Sequence, residues 1–127
     1  MENPTEPNIA HLFRTQEWSS FTKHKNFSDE EIIYHEDAPA ESLFYIESGI
    51  VKLQTYLPNG QARVVRLHKS GELIGLDEIM EPTYRQTAIS VNNVSLMQVS
   101  LERIRTLEKL NPEGYLQLLK ESQRHLA

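Results

Sequence analysis

Short runs rich in β-branched and aromatic residues, each closed by turn residues, fill the chain from Lys25 to Val99. They are Lys25–Phe27, Glu31–His35, Ser42–Glu47, Ile50–Leu57, Ala62–His68, Glu72–Ile74, Gln86–Ser90 and Val94–Val99. Short strands at this spacing, with no helical pattern between them, predict an antiparallel sandwich, barrel or roll. Within Ile50–Leu57 the residues Val51, Leu53, Thr55 and Leu57 share one face, and Lys52 and Gln54 share the other. That alternation predicts one buried and one wetted face. Two turns have clear chemistry. Pro58-Asn59-Gly60 separates two of the runs, and Asn-Gly tolerates the positive φ of a tight hairpin. Gly49, after Glu47 and Ser48, supplies a second left-handed position.

At both ends the period changes. Ile9, Leu12, Phe13, Trp18 and Phe21 suggest one or two short helical turns behind a loose arm of residues 1–8. After Val99, Ser100 is a good N-cap, with Leu101, Ile104, Leu107 and Leu110 at near-helical spacing. Asn111-Pro112 predicts a second helix start, with Asn as the cap and Pro at the first position. Tyr115, Leu119, Ser122 and Leu126 then follow at intervals of 4, 3 and 4, and Leu116 and Leu118 broaden the apolar face. That spacing suits packing on a partner helix, although the same stripe also suits covering the chain's own strands. The helical pattern reaches Ala127 without a cap or a breaker, as in a segment cut from something longer.

Composition narrows the function classes. The 127 residues allow one domain, and 39% hydrophobic residues are enough for a core. With 13 Lys+Arg against 18 Asp+Glu, the net charge of −5 argues against a broad nucleic-acid-binding face. No cysteine is present, which excludes a disulfide framework, a thiolate nucleophile and a Cys-ligated zinc or iron–sulfur centre. No apolar run approaches 18 residues, and Glu2 and Glu6 stand where a signal peptide needs positive charge. A reducing cytoplasm and no membrane association are therefore expected.

Ser42-Leu43-Phe44-Tyr45-Ile46-Glu47-Ser48-Gly49-Ile50-Val51-Lys52-Leu53 resembles the strand–turn–strand signature of the cyclic-nucleotide-binding β-roll. Gly71-Glu72-Leu73-Ile74-Gly75-Leu76-Asp77-Glu78-Ile79 is similar to the loop called the phosphate-binding cassette in that superfamily. More narrowly, it resembles the fumarate-nitrate-reduction branch of the Crp/Fnr transcription regulators. The resemblance implies a jelly-roll-like antiparallel β-roll that senses a small-molecule effector, followed by a helix that forms a homodimer. It divides the chain into an N-terminal arm with short helices (1–21), the β-roll (22–111) and the start of a dimerisation helix (112–127). Tyr115, Leu116, Leu119 and Leu126 would form the seam. The family's helix-turn-helix domain fits nowhere in these residues, so DNA would be bound only by sequence beyond them.

The resemblance also names an effector segment: Gly71, Gly75, Leu76, Arg85, Gln86 and Thr87. With Gly75 on the cassette glycine, Leu76 stands where nucleotide-binding members carry the ribose-binding Glu. Arg85 falls on the phosphate-binding Arg, and Gln86 replaces a small hydroxyl residue. Cyclic AMP is therefore disfavoured. Arg85 also reads as a surface cation paired with Asp77 or Glu81, and the two glycines as plain turn glycines.

Other chemistries fare worse. The cluster-based oxygen sensing of the family is excluded without cysteine. Haem would need an axial ligand among His11, His24, His35, His68 and His125, none with a partner at metal-site spacing. A metal-binding cupin enzyme would want a His-x-His pair, but Lys69 and Ser70 follow His68. Ser48 and Ser70 lack a nucleophile elbow, and the adjacent carboxylates Glu30-Glu31 and Asp77-Glu78 diverge. No catalytic group, metal or cofactor is expected. The sequence thus predicts the effector-sensing, dimer-forming part of a Crp/Fnr-type regulator. The alternative is a stand-alone cyclic-nucleotide-type regulatory or protein-interaction module that binds no DNA.

Overall fold

A computed structural model describes residues 22–75 and 81–107, the side chains only as far as residue 104. All eight predicted strands are present: β1 (Thr22–Phe27), β2 (Ile32–Tyr34), β3 (Ser42–Ser48), β4 (Ile50–Tyr56), β5 (Ala62–Lys69), β6 (Leu73–Ile74), β7 (Thr87–Ser90) and β8 (Val94–Ser100). A short helix, α1 (Leu101–Leu107), follows. The expected helical turns of Ile9–Phe21 and the helix of residues 112–127 lie outside the described residues, as do Leu76 and the seam residues Tyr115, Leu116, Leu119 and Leu126.

The strands form two antiparallel four-stranded sheets, ordered β1-β8-β3-β6 and β2-β7-β4-β5. Their facing sides share one core, to which Phe44, Ile46 and Leu96 contribute from the first sheet and Tyr34, Val51 and Ala88 from the second. The tight turn between β3 and β4 carries the chain from one sheet to the other. It turns at Gly49, whose φ is +97° and where an added Cβ would lie 2.5 Å from the Asn93 carbonyl oxygen. Glycine is therefore required there both by conformation and by space. In β8, Leu96 and Met97 point to opposite faces and both are fully buried, so this central strand is covered on both sides.

The alternation read in Ile50–Leu57 is only partly realised. Val51 is fully buried and Leu53 packs on the core, but Leu57 lies beyond the end of β4 and is exposed. Gln54, expected in water, is only 7% exposed. It sits mid-sheet between Thr87 of β7 and Val64 of β5, which shield it, and its Nε2 donates to the Tyr56 hydroxyl at 3.1 Å. At the Pro58-Asn59-Gly60 turn the positive φ falls on Gly60, at +88°. Asn59 instead accepts the Gln61 amide on its Oδ1 at 3.0 Å. Ser100 caps α1 as expected, its Oγ accepting the Arg103 amide at 3.1 Å, and Leu101 and Ile104 enter the core.

Candidate functional site

The loop between β5 and β7 leaves and rejoins the roll at the same place on β3. On its way out, the Gly71 amide donates to the Ile46 carbonyl at 2.8 Å and the Ile46 amide to the Glu72 carbonyl at 3.0 Å. Leu73 and Ile74 then pair with Tyr45 and Phe44 and are buried. Gly75 lies so close to β3 that a Cβ would stand 3.1 Å from the Ser42 carbonyl oxygen, and its φ is +83°. Both demands favour glycine, so Gly75 holds the loop against the strand.

On the way back, residues 82–84 make a second ladder with residues 37–40. The Ala40 amide donates to the Pro82 carbonyl at 2.9 Å, the Tyr84 amide to the Ala38 carbonyl at 3.0 Å, and the Asp37 amide to the Tyr84 carbonyl at 2.9 Å. The Tyr84 ring is buried in a stack on Tyr34, centroids 3.8 Å apart. Its hydroxyl donates to the Ser42 carbonyl at 2.7 Å and accepts the Ser42 amide at 3.0 Å. Ser42 thus touches both ends of the loop. Sequence reasoning missed Tyr84 and Ser42. The available signal was an aromatic residue standing alone between polar loop residues, immediately before Arg85.

The expected effector residues that the structure describes take different local settings. Gly71 and Gly75 take positive φ as turn glycines do, at +91° and +83°. Arg85 points outward, its side chain 60% exposed, and its Nη2 lies 3.1 Å from Glu81 Oε1. Glu81 is thus a partner of Arg85 as expected, and Asp77, the other candidate, lies outside the described residues. Gln86 is half-buried. Thr87 is buried at the start of β7, where its hydroxyl accepts the Glu36 amide at 2.9 Å, and Glu36 Oε1 accepts from the Thr55 hydroxyl at 2.9 Å. These contacts tie β2, β4 and β7 together beside the loop.

Of the five histidines named as candidate metal or haem ligands, His24 and His68 are engaged with carboxylates, and His11 and His125 lie outside the described residues. His24 Nδ1 lies 3.0 Å from Glu47, and His68 Nδ1 lies 2.8 Å from Glu72. No group of three metal-ligating side chains occurs among the described residues. Nor is any helix among them long and apolar enough to cross a membrane.

The chain and its two-sheet antiparallel roll are similar to known proteins. Residues 24–111 match the family model of the cyclic nucleotide-binding domain. The transcriptional activator protein Anr of Pseudomonas aeruginosa is 25% identical over 96 residues, 76% of this chain and 39% of that protein. The structure of FixK2 from Bradyrhizobium japonicum superposes with a TM-score of 0.69 at 22% identity, covering 82% of this chain and 53% of FixK2. The sensor domain of the regulator DNR from Pseudomonas aeruginosa gives a TM-score of 0.69 at 23% identity, over 83% of this chain and 72% of that one. The chain spans about two fifths of the length of Anr. It belongs to the cyclic nucleotide-binding domain family and is a sensory domain of the Crp/Fnr superfamily of transcription regulators.

Proposed function

We propose that these residues are the effector-sensing and dimerisation part of a cytoplasmic, non-enzymatic Crp/Fnr-type regulator whose DNA-binding helix-turn-helix lies in sequence beyond them. The observation that carries this reading is the β5–β7 loop clamped at both ends to β3 and running directly into β7. A small molecule held against residues 71–87 would press on that clamp and, through β8 and α1, on the helix expected over residues 112–127. The mechanism is a two-state element biased by its ligand. Domain limits at 1–21, 22–111 and 112–127 follow from the same reading.

Cyclic AMP fits this site poorly. Leu76 and Gln86 stand where the resemblance implies a ribose-binding Glu and a small hydroxyl residue, and Arg85 is turned towards Glu81. Gly71, Gly75, Leu76, Arg85, Gln86 and Thr87 remain the segment that an effector would touch.

Joining the chain to a DNA-binding domain that represses only as a dimer tests the reading. Repression of a reporter is expected, and Tyr115→Glu on the helical stripe is expected to abolish it, since a buried unpaired carboxylate is costly in an apolar seam. A chain that fails to repress and sediments as a monomer at every concentration would end the dimerisation half of the proposal.

A further inference from the structure

The β4–β5 hairpin has a charge opposite to that of the molecule. Residues 48–71 hold Lys52, Arg63, Arg66 and Lys69 and no Asp or Glu, within a chain of net charge −5. Lys52 is engaged, its Nζ lying 3.2 Å from Glu30. The side chains of Arg63 and Arg66 have no hydrogen-bond or ion-pair partner among the described residues, although Glu36 is held on the same side by Thr55.

The ladder explains why these two cations act together. Three residues apart on a regular strand, they would point to opposite faces. Here Leu53 pairs with Arg66 and Gln54 with Val64, so Val65 is an extra, bulged residue. The bulge restores phase: Arg63 stands opposite Thr55 and Arg66 opposite Leu53, both on the face that carries Val51 into the core. Along the strand they are about 7 Å apart, the spacing of alternate residues. The same row continues across the sheet from Arg66 through Leu53 to Ala88 of β7, one residue after Thr87. The arginine pair therefore stands in the same sheet as β7, the strand that the effector segment enters at Thr87, with β4 between them. Guanidinium forks match the planar oxygens of carboxylate and phosphate groups, and two forks on one face can share one such group.

We propose that Arg63 and Arg66 read the anionic group, phosphate or carboxylate, of a small-molecule effector, and that this pair rather than Arg85 supplies the site's recognition of charge. This rests on the sensory reading above and specifies the ligand class for it. Bulges of this kind serve to re-aim side chains, and the aim here brings two cations, unpaired among the described residues, onto the inward face of an acidic protein.

The test is a thermal-shift titration of the full 127-residue chain with pyrophosphate and, separately, citrate, at ionic strength held constant with NaCl. The wild-type chain is expected to show a saturable rise in Tm of roughly 5 °C with at least one of these anions. Arg63→Gln/Arg66→Gln is expected to lose the rise, and Arg85→Gln to keep it. Pyrophosphate alone or citrate alone would identify the anion as phosphate-like or carboxylate-like. The proposal is overturned if neither anion shifts the wild type by 10 mM on the order of a weak site, if the double variant shifts as the wild type does, or if only Arg85→Gln abolishes the effect. The last result would return charge recognition to the loop and leave the sensory reading intact. Both arginines are exposed, so their replacement is expected to leave the Tm without anion within about 2 °C of wild type.

Discussion

At Ser42 a main-chain amide and carbonyl that lie at the start of β3 are both satisfied by a side chain 42 residues away, the hydroxyl of Tyr84. The same carbonyl limits how large residue 75 can be. Replacing Tyr84 by Phe keeps the stack on Tyr34 but leaves both buried groups without their partner. A loss of about 1–3 kcal/mol in urea unfolding is expected, with the midpoint rather than the slope changing. A Tyr84→Phe chain as stable as wild type would mean that water satisfies Ser42 and that the clamp is weaker than its geometry. The residue types named for the effector segment could be read in advance, but their directions could not. Arg85 turns to Glu81 because the next outward position after buried Tyr84 places it at the surface, which depends on which neighbour is buried.

For whole elements, local pattern was a good guide. All eight strands stand within a few residues of their predicted limits, since turn residues punctuate each of them. The α1 cap was legible too, because Ser before an apolar helical pattern satisfies an orphan amide by its own chemistry. Ser100→Ala is expected to cost about 0.5–2 kcal/mol in denaturant unfolding, and Ser100→Asp to restore most of it. The bulge in β5 was not legible. Ala62–Lys69 reads as an ordinary strand, and Val65 becomes the extra residue only because β4 pairs with both sides of it in two different registers. The half-wet face expected for β4 failed for a similar reason: a strand with neighbours on both sides can bury a polar residue such as Gln54.

At the scale of the molecule, the two sheets are joined where β3 passes into β4 through Gly49. A Cβ at this point would meet the Asn93 carbonyl at 2.5 Å and the Val94 side chain at 2.7 Å, in a backbone conformation that L-residues avoid. Gly49→Ala should therefore destabilise the roll by more than the roughly 1 kcal/mol of the left-handed conformation alone, lowering Tm by at least about 5 °C in a calorimetric scan. Gly60→Ala is the control, because at φ +88° it shares the strain but meets nothing within 4 Å. Equal effects at the two positions would show that steric closure between the sheets contributes little.

Periodicity and turn chemistry were enough to predict an antiparallel sandwich, barrel or roll with a capped helix after it, and the motifs Ser42–Leu53 and Gly71–Ile79 carried a family resemblance that the comparisons bear out. Those properties depend on neighbours in sequence, so the sequence carries them openly. Which cations are free, which side chain clamps the loop and which strand is bulged are different in kind. Each is decided by a pairing that the fold makes, between distant parts of the chain for Tyr84 with Ser42 and Arg66 with Leu53, and within one loop for Arg85 with Glu81. Only the folded sheets bring those partners to hydrogen-bonding distance and select one register among the several that the strand patterns allow.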